Sequence, residues 1–255
     1  MIDRRTFSVS LAAGVATSVL GVTGNAQSAA NVSNVVFVHG AYADGSCWAQ
    51  EITSLQAAGF NVTSVQNHLV SFADDVASAK RALAMQTGPT VMVAHSYGGM
   101  ILTETGVDPK VTAVVYIAAR APDAGENYTA LAMKYPTPPA NAGLVAFQGY
   151  EQLNETAFLN DFANGVDPVV ARQLYAVQAP ISTTLFAGAK TTVAAWRTKP
   201  SFYAVSKADR TINPDLERFM ASRMKATTIE IDAGHLSLVS HPKEVTDLIL
   251  KAAGR

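Results

Sequence analysis

From Asn34 onward the chain alternates two kinds of apolar pattern. Short runs with almost no polar interruption, "NVVFVHG" (34–40), "TVMVA" (90–94) and "VTAVVYIAA" (111–119), stand between longer stretches whose apolar residues recur three or four positions apart. The short runs are rich in β-branched residues and predict strands buried on both faces. "WAQEITSLQAAGF" carries Trp48, Ile52, Leu55 and Ala58 at helical spacing before Gly59 stops it. "NVTSV" predicts a second strand. "SFADDVASAKRALAMQTGP" predicts a helix with Ser71 as its cap, acids in its first turn and Gly88-Pro89 after its last. A helix from Gly98 to Thr105 follows the third strand without a loop. Beyond Lys199 the rhythm resumes as the strand "SFYAVSKAD", the helix "NPDLERFMASRM", the strand "TTIEID" and a closing helix from Pro242 to Ala253. Doubly buried strands alternating with helices predict a mostly parallel sheet covered on both faces, with ligands gathering at the carboxyl ends of the strands.

Residues from Ala121 to about Lys199 break this pattern. They hold several prolines ("KYPTPPA", Pro168, Pro180), show no clear strand, and contain helix-like pieces such as "YEQLNETAFLNDFA" and "PVVARQLYAVQ". A structureless loop of that length is out of place in a compact domain. The expectation is a mostly helical insertion, a lid over the strand ends. It carries Tyr128, Met133, Tyr135, Phe147, Tyr150, Phe158, Phe162, Tyr175, Phe186 and Trp196. Most of these are read as lid core, with a few lining a pocket for a neutral ester with an apolar or aromatic part.

The first thirty residues have another logic. Arg4-Arg5 precede Phe7 and a weakly apolar run of Ala, Val, Gly, Ser and Thr up to Val22, and small residues follow. This is the layout of a cleavable export signal of the twin-arginine type, with cleavage expected among Ala26 to Ala30. The expected destination is the periplasm or the exterior, and the run is short for a membrane span. The domain proper is then residues 31–255, lid included.

Composition narrows the function. With 255 residues, 49% hydrophobic and 15% charged, the chain suits one domain with one sizeable core. A formal net charge of −1, with no basic run beyond the first residues, gives no footprint for nucleic acid. Cys47 is the only cysteine, which excludes an intrachain disulfide. Cys47 and Trp48 read as packing residues. No His, Asp or Glu cluster has metal spacing and no G-x-G-x-x-G follows a strand, so no metal or cofactor is expected. A small-molecule partner is.

The chemistry concentrates in "VAHSYGGM" (93–100), which puts Ser96 on a turn between apolar strand and helix. A serine hydroxyl is a poor nucleophile at neutral pH, so it must stand clear of the backbone where a base can reach it. A tight strand-to-helix turn achieves this and demands small residues two before and two after the serine, here Ala94 and Gly98. Alanine departs by one methyl from the usual first glycine. "AGHLSL" sets His235 after the last predicted strand, and "VSKADRTINP" sets Asp209 after the one before it. Serine, imidazole and carboxylate therefore fall on one sheet edge, the set needed for nucleophilic catalysis. Asp123 in "ARAPDAGE" competes for the role of the acid, with Asp209 favoured by strand position. Asp232 is too near His235 in sequence to swing round to it. His95 is read as a packing residue, His39 as structural, and His68 and His241 as exposed, with His68 able to edge the pocket.

With its order Ser, Asp, His, the chain resembles the α/β-hydrolase superfamily. "FVHGAYADGSCWAQEITSLQAAGFNV", "AHSYGGM", "SKADRTINP" and "DAGHLSLVSHP" are most similar to the group of plant methyl-ester esterases and hydroxynitrile lyases with their bacterial relatives. The resemblance covers nearly all of the chain after the leader except the lid. It implies an oxyanion hole built from the backbone N–H groups of Ala41, in "HGA", and Tyr97, after the nucleophile. It implies a two-step ester or lactone hydrolysis through an acyl-enzyme. Related lyases carry a lysine after the catalytic histidine and a threonine in place of the glycine of the HG pair, where this chain has Leu236 and Gly40. The alternatives are a weakly catalytic ligand-binding protein and a lyase acting on C–C bonds.

Overall fold

The computed structural model describes residues 32–255. The export-signal expectation falls on residues outside that span. Six strands form one wholly parallel sheet: β1 (Asn34–Val38), β2 (Asn61–Val65), β3 (Thr90–His95), β4 (Val111–Ile117), then, beyond the insertion, Ser201–Ser206 and Thr227–Ile231. The insertion contributes β5 (Leu144–Phe147), β6 (Tyr150–Leu153) and β7 (Ile181–Ser182), so the last two sheet strands are β8 and β9. Spatial order is β2-β1-β3-β4-β8-β9. β1, β3 and β4 occupy the centre and are buried almost throughout, as their unbroken apolar runs require.

The helices follow the predicted alternation: α1 (Ala49–Ala57), α2 (Phe72–Ala84) and α3 (Gly98–Thr105) before the insertion. α2 begins at Ser71, whose side chain accepts from the Asp74 N–H, with Asp74 and Asp75 in its first turn. Within the insertion lie α4 (Tyr128–Ala132), α5 (Glu155–Ala157), which runs into a π-helical turn (Phe158–Phe162), and α6 (Pro168–Ala176). α7 (Pro214–Arg223), α8 (Ser237–Ser240) and α9 (Pro242–Ala252) complete the chain. α1 packs on α9 at one face of the sheet and α2 on α3 at the other. Trp48 stacks on Phe37 of β1 with ring centroids 4.5 Å apart, fixing the start of α1 to the sheet.

The lid differs from expectation in one respect. Its middle is a three-stranded antiparallel sheet, ordered β5-β6-β7, where the sequence shows no clear strand. "YEQL", expected to begin a helix, is β6. The cause is the Gln148-Gly149 turn: both residues have positive φ, +47° and +82°, the backbone of a two-residue hairpin loop whose twist matches its strands. The helix starts only at Asn154, whose side chain accepts from the Ala157 N–H.

Candidate functional site

Every residue singled out for chemistry lies just past the carboxyl end of a sheet strand. Ala41 follows β1, Ser96 follows β3, Asp209 follows β8 and His235 follows β9. Ser96 has φ of +54°, a left-handed conformation rare for a residue with a side chain, and is almost fully buried. Three backbone hydrogen bonds hold it there: Ser96 N–H to the Ile117 carbonyl (3.3 Å), and Arg120 and Gly99 N–H to the Ser96 carbonyl (2.9 and 3.0 Å). The turn closes only because its neighbours are small. A Cβ on Gly98 would lie 2.5 Å from the Val38 carbonyl oxygen, and one on Gly40 would lie 2.6 Å from Ser96 Cβ. The Ala94 methyl is buried in β3 without preventing the positive φ at Ser96.

His235 is fully buried and its Nδ1 lies 2.6 Å from Asp209 Oδ2. The other oxygen of Asp209 accepts from the N–H groups of Thr211 (2.6 Å) and Ile212 (2.8 Å), which orients the carboxylate. With Nδ1 engaged, Nε2 is the ring nitrogen left to accept a proton, and among the described residues it has no hydrogen-bond partner. Asp123 instead pairs with Arg197, its Oδ1 accepting from Nε at 2.7 Å, so it is committed elsewhere. Asp232 is exposed and lies 3.6 Å from Lys207 Nζ.

The remaining histidines separate clearly. His39 Nε2 accepts from the Asn67 N–H (2.9 Å), leaving Nδ1 to donate to the Gly40 carbonyl (2.9 Å). That neutral ring, its pKa lowered by burial, braces the loop that carries Ala41. His95 lies nearer the chemistry than expected of a packing residue. Its Nε2 is 3.1 Å from the His235 carbonyl and the two rings are 4.5 Å apart, while burial holds it well below the usual imidazole range and so neutral. His95 thus ties the His235 loop to the Ser96 turn. His68 is exposed, and His241, expected to be exposed, is half-buried against Ser240 Oγ at 2.9 Å. Cys47 is buried and burial pushes its thiol up, away from reactivity.

Glu217 escaped the sequence reading. It is fully buried on α7, accepts from the Ser206 N–H at 3.1 Å and lies against Asp209. Burial, and then the Asp209 charge, push its carboxyl well up. An acid eight residues beyond Asp209 gives no sequence sign of that contact.

The lid closes over this edge through named contacts. The Phe162 ring, at the end of the π-helical turn, is 5.1 Å from the His235 ring. Asn164 Nδ2 donates to the Ala208 carbonyl (2.9 Å), and its side chain fills the space beside Gly234. Asp161 accepts from Arg210 Nε at 2.6 Å. π-helical turns inside helices often mark functional sites. Of the other lid aromatics, Tyr128 and Phe186 line a cavity of about 230 Å³ between lid and sheet, whereas Phe147 and Met133 face outward. Tyr97 packs against Phe186 at 5.3 Å and donates from its hydroxyl to Asp75 at 3.0 Å, which fixes the residue after Ser96. Ala41 and Tyr97 are both buried, and their backbone N–H groups donate to no protein acceptor among the described residues.

The sequence signature described as "Alpha/beta hydrolase family" matches residues 35–248. The chain belongs to that family. Among its curated relatives, this α/β hydrolase is 22% identical over 264 residues to the esterase PIR7B of rice (Oryza sativa subsp. japonica), covering 89% of this chain and 98% of the other. It is 27% identical over 128 residues to the carbendazim hydrolyzing esterase of Nocardioides sp. (strain SG-4G), covering 45% of this chain and 53% of that one. Among solved structures, polyneuridine aldehyde esterase superposes with a TM-score of 0.74 at 20% identity, over 86% of this chain and 98% of its own. A pyrethroid hydrolase from Sphingobium faniae JZ-2 gives 0.73 at 17% identity, over 88% and 98%. At such identities the structural likeness speaks to the fold alone.

Proposed function

We propose that this carboxylic ester hydrolase works through Ser96 as nucleophile, His235 as general base and acid, and Asp209 as the group that orients and stabilises the imidazolium. The observation that carries the reading is the bond from His235 Nδ1 to Asp209, 2.6 Å, on the same sheet edge as a serine held at positive φ. Ser96 Oγ attacks the ester carbonyl as Nε2 takes its proton, and the tetrahedral oxyanion meets the N–H groups of Ala41 and Tyr97. Collapse returns the proton to the leaving alcohol and leaves an acyl-enzyme. Water, activated by His235, then releases the acid and frees Ser96. The esterase names of the relatives support this class, and the modest cavity supports small esters or lactones. Export to the periplasm or beyond by a twin-arginine-type leader belongs to the same proposal.

Treatment of the purified protein with a fluorophosphonate, followed by intact-mass analysis, tests it. One covalent adduct is expected on the wild type and none on Ser96→Ala or His235→Ala. p-Nitrophenyl butyrate is expected to be cleaved, and mandelonitrile to release cyanide no faster than buffer. A folded protein that takes up no adduct would shift the reading to ligand binding on the same scaffold.

A further inference from the structure

Arg120 is an unusual residue to find beside a serine nucleophile. Its own N–H donates to the Ser96 carbonyl, so its side chain starts from the wall of the nucleophile turn. The guanidinium is half-buried in the cavity between lid and sheet, lying over the Phe186 ring at 4.1 Å and the Tyr128 ring at 5.0 Å. Contacts of this kind to ring faces hold the cation in place and leave N–H groups free to meet an acceptor. Among the described residues no protein atom takes up those N–H groups, and the buried Nε has no partner. Glu151 is the only other charged residue lining the cavity among the described residues, yet it forms no ion pair with Arg120; its Oε1 accepts from the Tyr42 hydroxyl at 3.1 Å. A half-buried, preoriented guanidinium without a carboxylate is costly to keep, and a ligand carboxylate matches it bidentately.

The position of the cavity says which part of an ester reaches it. Its lining includes Tyr42, next to Ala41, and Ile212, whose N–H donates to Asp209, but none of Ser96, His235 and Phe162. The cavity thus lies beyond the Ser96 turn, on the side of Arg120 and Tyr42. The leaving alcohol must lie at the imidazole to receive its proton, so the acyl part is the one left to extend toward the cavity. On the proposed ester hydrolysis, we infer that Arg120 binds a carboxylate at the far end of the acyl chain, which makes monoesters of short dicarboxylic acids the preferred substrates. The expected ester is uncharged at the reacting bond and anionic at its other end, a different class from the neutral esters that the lid composition suggests.

The test compares p-nitrophenyl hydrogen glutarate with p-nitrophenyl pentanoate, which has the same acyl chain without the carboxylate. In the wild type kcat/KM is expected to favour the glutarate by about tenfold or more, the scale of a charge-assisted hydrogen bond. Because the preference is a ratio measured within each protein, partial unfolding of a variant cancels. Arg120→Met is expected to erase the ratio, and Arg120→Lys, which keeps the charge but loses the fork, to retain part of it. Equal rates for both esters in the wild type, or an unchanged ratio in Arg120→Met, would overturn the inference while leaving ester hydrolysis standing. If neither ester is turned over, the hydrolase reading itself fails. Calorimetry with free glutarate then decides the Arg120 site independently: binding by wild type and not by Arg120→Met supports it, and no binding by wild type overturns it.

Discussion

Glu51 shows how much a single buried side chain reports about this molecule. It is fully buried on α1, neither carboxyl oxygen has a hydrogen-bond partner among the described residues, and burial pushes its carboxyl up to about 8. The unfolded chain releases that proton near ~4.3. Between these values the native state holds more protons than the unfolded state, so this group subtracts stability progressively as pH rises, and its slope ends above about pH 8. Glu51→Gln is expected to match the wild type near pH 4 and to exceed it by about 4 to 5 kcal/mol at pH 8. Urea denaturation at both pH values measures the difference; equal gaps at the two would show that the carboxyl ionises freely in the folded protein. The residues legible in the sequence are of another kind. Ser96, Asp209 and His235 stood out because chemistry demands those types at strand ends. Arg120 and Glu217 did not, because their roles depend on what faces them: two lid rings in one case and the Asp209 carboxylate in the other.

At the scale of elements, the junction of β3 and α3 is the part where sequence and geometry agree most tightly. Gly98→Ala would set a methyl against the Val38 and His39 carbonyl oxygens, backbone atoms of the strand and loop that lead to Ala41. Relief requires the turn and the β1 loop to separate. The expected result is a stability loss of about 1 to 3 kcal/mol and a fall in kcat of about a hundredfold from displacement of the reacting groups. Ala94→Gly makes the informative contrast. It restores the usual glycine, but Ser96 already has its positive φ, so only a loss of ~0.5 to 1 kcal/mol from a more flexible strand is expected, with no gain in rate. Thermal melts and initial rates on the two variants check both statements. The same scale explains what went unread: doubly buried strands announce themselves by composition, whereas the β5–β6 hairpin has exposed strands and depends on two turn residues, Gln148 and Gly149.

For the whole molecule, the proposed leader and the lid pose separate questions. Produced as the full chain in a bacterium, the protein is expected in the periplasmic fraction with a mass matching cleavage among Ala26 to Ala30, and replacing Arg4-Arg5 by lysines is expected to block that shortening. A precursor-length protein confined to the cytosol would count against the leader. The lid, for its part, is fastened to the sheet edge at the loops that hold Asp209 and His235. Asn164 bonds beside Asp209 and packs on Gly234, Asp161 holds Arg210, and Phe162 covers His235. A lid exchanged with a relative's would therefore arrive without the side chains that keep those two loops in register, and the recipient would lose rate before it gained range. Diversification of this enzyme is constrained accordingly: new specificity can accumulate by point changes around the cavity, but the π-helical turn and the two loops beneath it must be inherited together.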